Sequence, residues 1–331
     1  VYSIDASVMG NGVLGIIEDA GFHTDNPSIT GSAAELLWTD RPSVVAGVSY
    51  NKENNSIIFN VLGIEGNAVV ALKDEDGTIL WSWHIWCTDE PQVQTYKNSA
   101  GTFYVLDRNL GATSTHFIDA EESEDYKGTL YFWGRKDPFT SQVHTSSEQR
   151  HLSMDYTISN PTQTHRASSW SSNESWMAPH INQAWSDQIK TIYDPCPIGY
   201  RVAITDIWSG FITTSGLYDT RDLNEMNVES MDENGWTFYL DEEKTTTSWY
   251  PFSRHHLFTW AGYYGIGWSN VLSGYWASNL TTNGMKLGMI FNKVSDENIE
   301  LNININTYDS QGFFVRCMRD DAEYPGTPRV L

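Results

Sequence analysis

The chain has 331 residues, 40% of them hydrophobic and 13% aromatic, so it is long enough for two folded domains and too apolar to remain disordered. Its 42 acidic residues against 20 basic ones leave a formal charge of −22, which repels a phosphate backbone and disfavours nucleic acid as a partner. No stretch approaches the ~20 apolar residues of a membrane-spanning helix, and no basic amphipathic segment suits a membrane surface. With Val1 in first place and no signal-peptide pattern, the sequence is expected to be a mature or trimmed form.

From Glu35 to about Trp86 the sequence reads as successive short strands. Ile57, Phe59 and Val61 alternate with Ser56, Ile58 and Asn60 after a polar turn at Glu53-Asn54-Asn55. Asn67 to Leu72 and Thr78 to Trp86 flank Lys73-Asp74-Glu75-Asp76-Gly77, whose Asp-Gly end predicts a hairpin. Ile79, Trp81, Trp83 and Ile85 share one face of the second strand, with Leu80, Ser82, His84 and Trp86 on the other, so both faces are expected to be covered. These elements predict a small β-sandwich over residues 1–90, ending at the polar stretch Thr88-Asp89-Glu90-Pro91-Gln92.

Beyond it, residues 91–331 form a second expected domain. Phe103-Tyr104-Val105-Leu106 leads into Asp107-Arg108-Asn109-Leu110-Gly111-Ala112, and Leu130 to Arg135 follows an acidic loop. Thr140 to Trp185 is polar with weak periodicity and reads as long surface loops. Thr205 is placed to cap a helix over Asp206–Ile212 with apolar positions 207, 208, 211 and 212, ended by Gly216. The C-terminal end reads as a β-meander: Met285 to Phe291, Leu301 to Ile305, then a strand carrying Phe313, Val315 and Cys317 on one face. Asp194-Pro195-Cys196-Pro197 holds another cysteine in an extended, proline-bounded segment, so a buried Cys196–Cys317 disulfide is expected, two unpaired buried thiols being the alternative. Such a bridge needs an oxidising compartment and leaves Cys87 over, read as a small packed residue.

Chemistry is thinly signalled. Asp107, Arg108 and Asn109 read as groups satisfying a strand-ending turn, and Arg135 with Asp137 as an internal ion pair. Asp119 to Asp125 and Asp232-Glu233-Asn234-Gly235 offer oxygen ligands for calcium without the twelve-residue loop spacing, so solvated acidic loops are favoured and calcium is the lesser alternative. No zinc-ligand spacing, nucleophile elbow, phosphate-binding glycine loop or dinucleotide fingerprint is present, so no catalytic residue is assigned. A hydrolase using two of the many carboxylates remains an alternative.

The aromatic stretch Trp249-Tyr250-Pro251-Phe252 and Trp260 to Trp268 carries three glycines and a proline, which makes it loop-like. Flat rings with polar edges suit stacking against sugars, so Trp249, Tyr250, Trp260, Tyr263, Tyr264 and Trp268 form the expected ligand surface, with Arg254 and His255 to hydrogen-bond hydroxyls. The alternative is a satellite core beneath long loops.

Taken in order, several segments resemble known families. Gly66 to Asp74 with Ile79 to Trp86 resembles the N-terminal sandwich of fimbrillin-like surface proteins of Bacteroidetes. Asp107 to Ala112, Tyr131 to Arg135, the Cys196 segment, Gly274-Tyr275-Trp276-Ala277-Ser278 and the Cys317 segment resemble the fibrobacter-type major paralogous domain, which is similar to the C-type-lectin-like fold. Departures are Cys87, where Val or Ile is usual, and Ala277-Ser278-Asn279 in place of Ser-Ser-Thr. The resemblance implies a mainly β chain with some α, its β-sandwich followed by a loop-rich, C-type-lectin-like α+β domain. It implies a non-enzymatic, extracellular fimbrial subunit at a pilus tip. The sandwich would engage other pilus subunits and the second domain a glycan or a surface protein. A purely structural pilus subunit and a secreted glycan-active hydrolase are the competing readings.

Overall fold

A computed structural model describes residues 1–10, 28–117, 125–139, 152–163, 176–177, 181–252, 272–295, 298–307, 309 and 311–321. Strands outweigh helix by 46% to 7%, so the chain is mainly β. Two three-stranded antiparallel sheets occupy the N-terminal part. One orders Tyr2–Asp5, Ser56–Val61 and Val45–Asn51, and the other Ala33–Thr39, Gly66–Lys73 and Ile79–Cys87. Gly66–Lys73 and Ile79–Cys87 form the hairpin expected around Asp76-Gly77, with a register shift between Leu72 and Lys73. Ile57, Phe59, Ala68, Val70, Leu72, Trp81 and Trp83 are buried in one apolar cluster.

Three further sheets follow. A four-stranded antiparallel sheet orders Tyr200–Val202, Cys317–Arg319, Gly101–Leu106 and Val93–Asn98. A six-stranded mixed sheet orders Asp219–Thr220, Asn298–Thr307, Lys286–Ser295, Leu272–Leu280, Phe313–Val315 and Leu130–Tyr131. A small antiparallel sheet orders Val228–Met231, Gly235–Tyr239 and Thr247–Pro251. The hairpin of Lys286–Ser295 with Asn298–Thr307 is the expected one, but no meander continues from it. Phe313–Val315 crosses over to pair in parallel with Leu272–Leu280, and after Arg316 the chain moves to a different sheet.

The reason is that the central strands are buried on both faces. Tyr131, Val202, Trp276, Phe313, Val315 and Cys317 point into one apolar cluster, and Leu130, Ala203, Tyr275, Ala277, Phe314 and Met318 into a second. Gly274 presents no side chain to this crossover. A Cβ there would meet the Phe313 ring at 2.5 Å, so the ring lies directly on the neighbouring backbone. The first cluster also runs without a break from Ala6, Val44 and Ile57 to Trp133, Trp176, Trp185 and Cys317. Residue 90 therefore marks a change of sheet and not a gap in the core.

Two local expectations change. Thr205–Phe211 is a 310 helix with Ile204 at its N-cap, because Thr205 Oγ1 is already engaged by Asn279 Nδ2 at 2.8 Å. Ile207, Trp208, Phe211 and Ile212 are buried as the apolar stripe required. Much of the described part of Thr140–Trp185 is not surface loop: Asn182 and Gln183 are exposed as expected, but Met154–Ser159 is an α-helix capped by Ser153, and Trp176, Met177, Ala184 and Trp185 are buried. Their indole N–H groups find backbone carbonyls, Trp176 Nε1 on Trp133 O and Trp185 Nε1 on Tyr193 O, which lets large rings pack where no periodicity announces them.

Candidate functional site

Cys196 and Cys317 form a disulfide with Cα atoms 5.7 Å apart, closing a sequence separation of 121. Asp194 builds the Cys196 side of it. Its carboxylate accepts from Cys196 N at 2.9 Å, Val202 N at 2.8 Å and Lys190 Nζ at 2.9 Å, and Lys190 Nζ also donates to Cys196 O at 2.6 Å. Burial pulls the Lys190 pKa down while the Asp194 charge pulls it up. The proline-bounded segment is thus held by one buried carboxylate that satisfies backbone donors. Cys87 carries no disulfide and is partly buried; burial, with the Asp40 charge, raises its pKa, which suppresses the thiolate.

One residue before Cys317, Arg316 gathers two segments distant from it in sequence, 106–109 and the strand of Trp249. Its Nε donates to Asn109 Oδ1 at 2.8 Å, Nη1 to Leu106 O at 3.1 Å and Nη2 to Trp249 O at 2.5 Å. Its guanidinium carbon lies 4.3 Å from the Tyr250 ring centroid. Asn109 Nδ2 in turn donates to Lys127 O at 2.7 Å, and Arg108 pairs with Asp107 and Asp89, so Asp107, Arg108 and Asn109 act structurally.

Of the residues proposed to face a ligand, two are described and they differ. Tyr250 is fully buried: its hydroxyl lies 2.9 Å from that of Tyr96 and accepts from Trp208 Nε1 at 3.3 Å. Burial raises its pKa well above the usual phenol range. It is a core ring and does not face a ligand, because Thr247–Pro251 is a sheet strand whose alternate residues point inward. Trp249 is half-buried, with its ring 5.4 Å from Tyr126, which meets the partly exposed Phe117 at 5.3 Å. Sequence reasoning missed this Phe117–Tyr126–Trp249 row, since Trp249 lies over a hundred residues from the other two and only the folded chain brings them together. Arg254, His255, Trp260, Tyr263, Tyr264 and Trp268 lie outside the described residues. So does most of the acidic run Asp119–Asp125, whereas Asp232 Oδ1 caps its own turn through Asn234 N and Gly235 N. Among the described residues no three His, Cys, Asp or Glu side chains gather as a metal site.

A second constellation joins the first ninety residues to the rest. Lys136 Nζ donates to Ser82 O at 3.1 Å, to Ser82 Oγ, and to Asp137 at 2.9 and 2.7 Å; it stands 4.5 Å from the Trp81 ring centroid. Ser82 Oγ donates to Asp137 Oδ1 at 2.7 Å. A serine beside a lysine suggests nucleophilic chemistry, but this ammonium is saturated with acceptors and both residues are buried. Asp137 therefore pairs with Lys136, whereas the sequence pointed to Arg135. The Arg135 side chain runs the other way, donating through Nη2 to Pro161 O at 2.6 Å and Gln163 O at 2.7 Å, and burial lowers its pKa.

Beside it, His84 bridges Asn67 and Tyr131. Asn67 Nδ2 donates to Asp40 Oδ2 and Gly111 O, which leaves Asn67 Oδ1 as an acceptor 2.9 Å from His84 Nε2. Nε2 must then carry the proton, and Nδ1 accepts from the Tyr131 hydroxyl at 3.0 Å. Burial lowers the His84 pKa to about 4, so the imidazole is neutral at physiological pH. Trp86 Nε1 donates to Ala112 O at 3.0 Å and completes the seam.

No family model, curated protein or solved structure matches the chain.

Proposed function

We propose that the chain is an exported, non-enzymatic fimbrial adhesin of the cell surface. Residues 1–90 form a β-sandwich that engages other pilus subunits, and residues 91–331 form a C-type-lectin-like domain that binds a glycan or a surface protein. The observation that carries this reading is Trp249. Its carbonyl is clamped by Arg316 one residue from the disulfide, while its indole stays half-buried against Tyr126. A held indole that shortly precedes Arg254, His255, Trp260, Tyr263, Tyr264 and Trp268 in sequence is suited to stacking on a sugar or an apolar side chain at low entropic cost. The buried bridge fits an oxidising compartment outside the cytoplasm.

The full chain applied to a glycan array, together with pull-down from candidate surface proteins, tests the reading. Binding that Trp249→Ala reduces tenfold or more, with an unchanged melting temperature, supports it; failure to bind in both formats overturns it. A purely structural pilus subunit is the second reading, favoured by the exposed edge strand Tyr2–Asp5, which among the described residues pairs with Ser56–Val61 alone. It expects partner pilins to raise the melting temperature and sugars to leave it unchanged.

A further inference from the structure

We propose that Lys286 and Asn182 become joined by a side-chain amide bond that the protein forms itself, with loss of ammonia. Lys286 opens the strand Lys286–Ser295 and is 2% exposed. Its Nζ donates to Asn182 Oδ1 at 2.9 Å and to Gly284 O at 3.2 Å, and it lies 4.4 Å from the centroid of the Trp133 ring. Asn182 Cγ is one carbonyl bond beyond the contacted oxygen, about 3–4 Å from Nζ, so that at most a small side-chain rotation brings it within the ~3–3.5 Å from which a held nucleophile attacks. Gly284, at φ +77°, permits this approach: a Cβ there would meet Asn182 Nδ2 at 2.7 Å.

The step needs no oxidant or cofactor. The lone pair of neutral Nζ adds to Asn182 Cγ, forming the new C–N bond. The tetrahedral centre then collapses with cleavage of Cγ–Nδ2, and Nδ2 takes the proton given up by Nζ and leaves as ammonia. Asn182 lies at the surface end of the contact, so water can relay that proton and the ammonia can escape. Burial draws the Lys286 pKa down to about 8, against the pull of the Asp309 carboxylate. About a tenth of the amine is therefore neutral near pH 7, enough for a slow, irreversible reaction in a protein that acts only once on itself. The product would brace the segment leading to Cys196 at a second point, since Asn182 precedes Cys196 by 14 residues and Lys286 belongs to the six-stranded sheet. This inference does not depend on the ligand reading.

Intact mass spectrometry of the denatured full chain, after incubation at about pH 8, tests it. The expected species is about 17 Da lighter than the sequence with its disulfide, the mass of one ammonia. A protease digest should yield one branched peptide containing residues 182 and 286, and Asn182→Ala, a surface change, should restore the full mass. An unchanged wild-type mass overturns the proposal. So does a deficit traced by hydroxylamine cleavage to a succinimide at Asn11-Gly12, Asn234-Gly235 or Asn283-Gly284, because that loss would arise from backbone attack.

Discussion

Lowering the pH should loosen the seam at His84 before it disturbs the acidic groups of the chain. In the folded state both ring nitrogens are committed, Nε2 as donor to Asn67 and Nδ1 as acceptor from Tyr131, so a second proton on Nδ1 would confront the Tyr131 O–H and place a cation among enclosed groups. The groups facing the ring are Tyr131, held beside Thr129 at 3.2 Å, and Asn67, which leads to Asp40; Asp137, paired with Lys136, is felt electrostatically at Tyr131. The folded pKa, about 4, lies below the ordinary 6.5. Between those values the unfolded chain binds more protons, so stability rises with pH. Stability from this site is complete above about pH 6.5 and falls as pH drops towards 4, by up to about 2 kcal/mol at pH 5 and about 3 kcal/mol at pH 4. Urea unfolding of wild type and His84→Gln from about pH 7 to 4.5 measures it. Glutamine keeps a donor and an acceptor without titrating, so the wild-type curve should fall relative to the variant. Curves that stay parallel across that window would refute the assignment of a neutral, doubly bonded imidazole.

Other outcomes follow from the same geometry. Reducing Cys196–Cys317, or replacing both residues by alanine, should lower stability by about 4–5 kcal/mol, because the freed loop spans over a hundred residues; denaturant midpoints with and without reductant test this. Gly274→Ala should cost about 1–3 kcal/mol by driving a methyl into the Phe313 ring, whereas the same change at the turn residue Gly216, open on that side, should act only through its positive φ. Asn109→Ala leaves the buried Arg316 Nε without its acceptor and should cost about 2–3 kcal/mol, while Asn109→Asp should recover part of that, as read by thermal unfolding.

Where a sequence pattern reflected one dominant force, it was legible. The Asp76-Gly77 hairpin, the 207, 208, 211 and 212 stripe and the cysteine pairing all follow from turn chemistry, amphipathic spacing or two inward-facing thiols. Where forces competed, it was not. Lys136 stands between Arg135 and Asp137 and takes the carboxylate, because the two flanking side chains project towards different neighbours. Pro251 gave Thr247–Pro251 the look of a loop, yet it is an edge strand, where a residue without an N–H is tolerated. The tryptophans of 176–185 have no periodicity because each is placed by an indole hydrogen bond to a distant carbonyl and not by a regular element. His84 falls on a strand face that the sequence expected to be covered, but its role was not legible, since its partner Tyr131 lies 47 positions away.

The break between Phe313–Val315 and Cys317–Arg319 follows from Arg316. An alternating strand running straight through would have to hide this guanidinium in an apolar cluster, so the chain turns at that residue, where Leu106 O, Asn109 Oδ1 and Trp249 O converge. Its own carbonyl, accepting from Ala203 N at 3.0 Å, and the neighbouring Val315 carbonyl, accepting from Leu110 N at 2.9 Å, pin both sides of the turn. The position of Trp249 is therefore set by the same residue that sets where Cys317 meets Cys196. A ligand stacking on that indole would find it already ordered, and the entropy of ordering the side chain would be spent in folding instead of in binding.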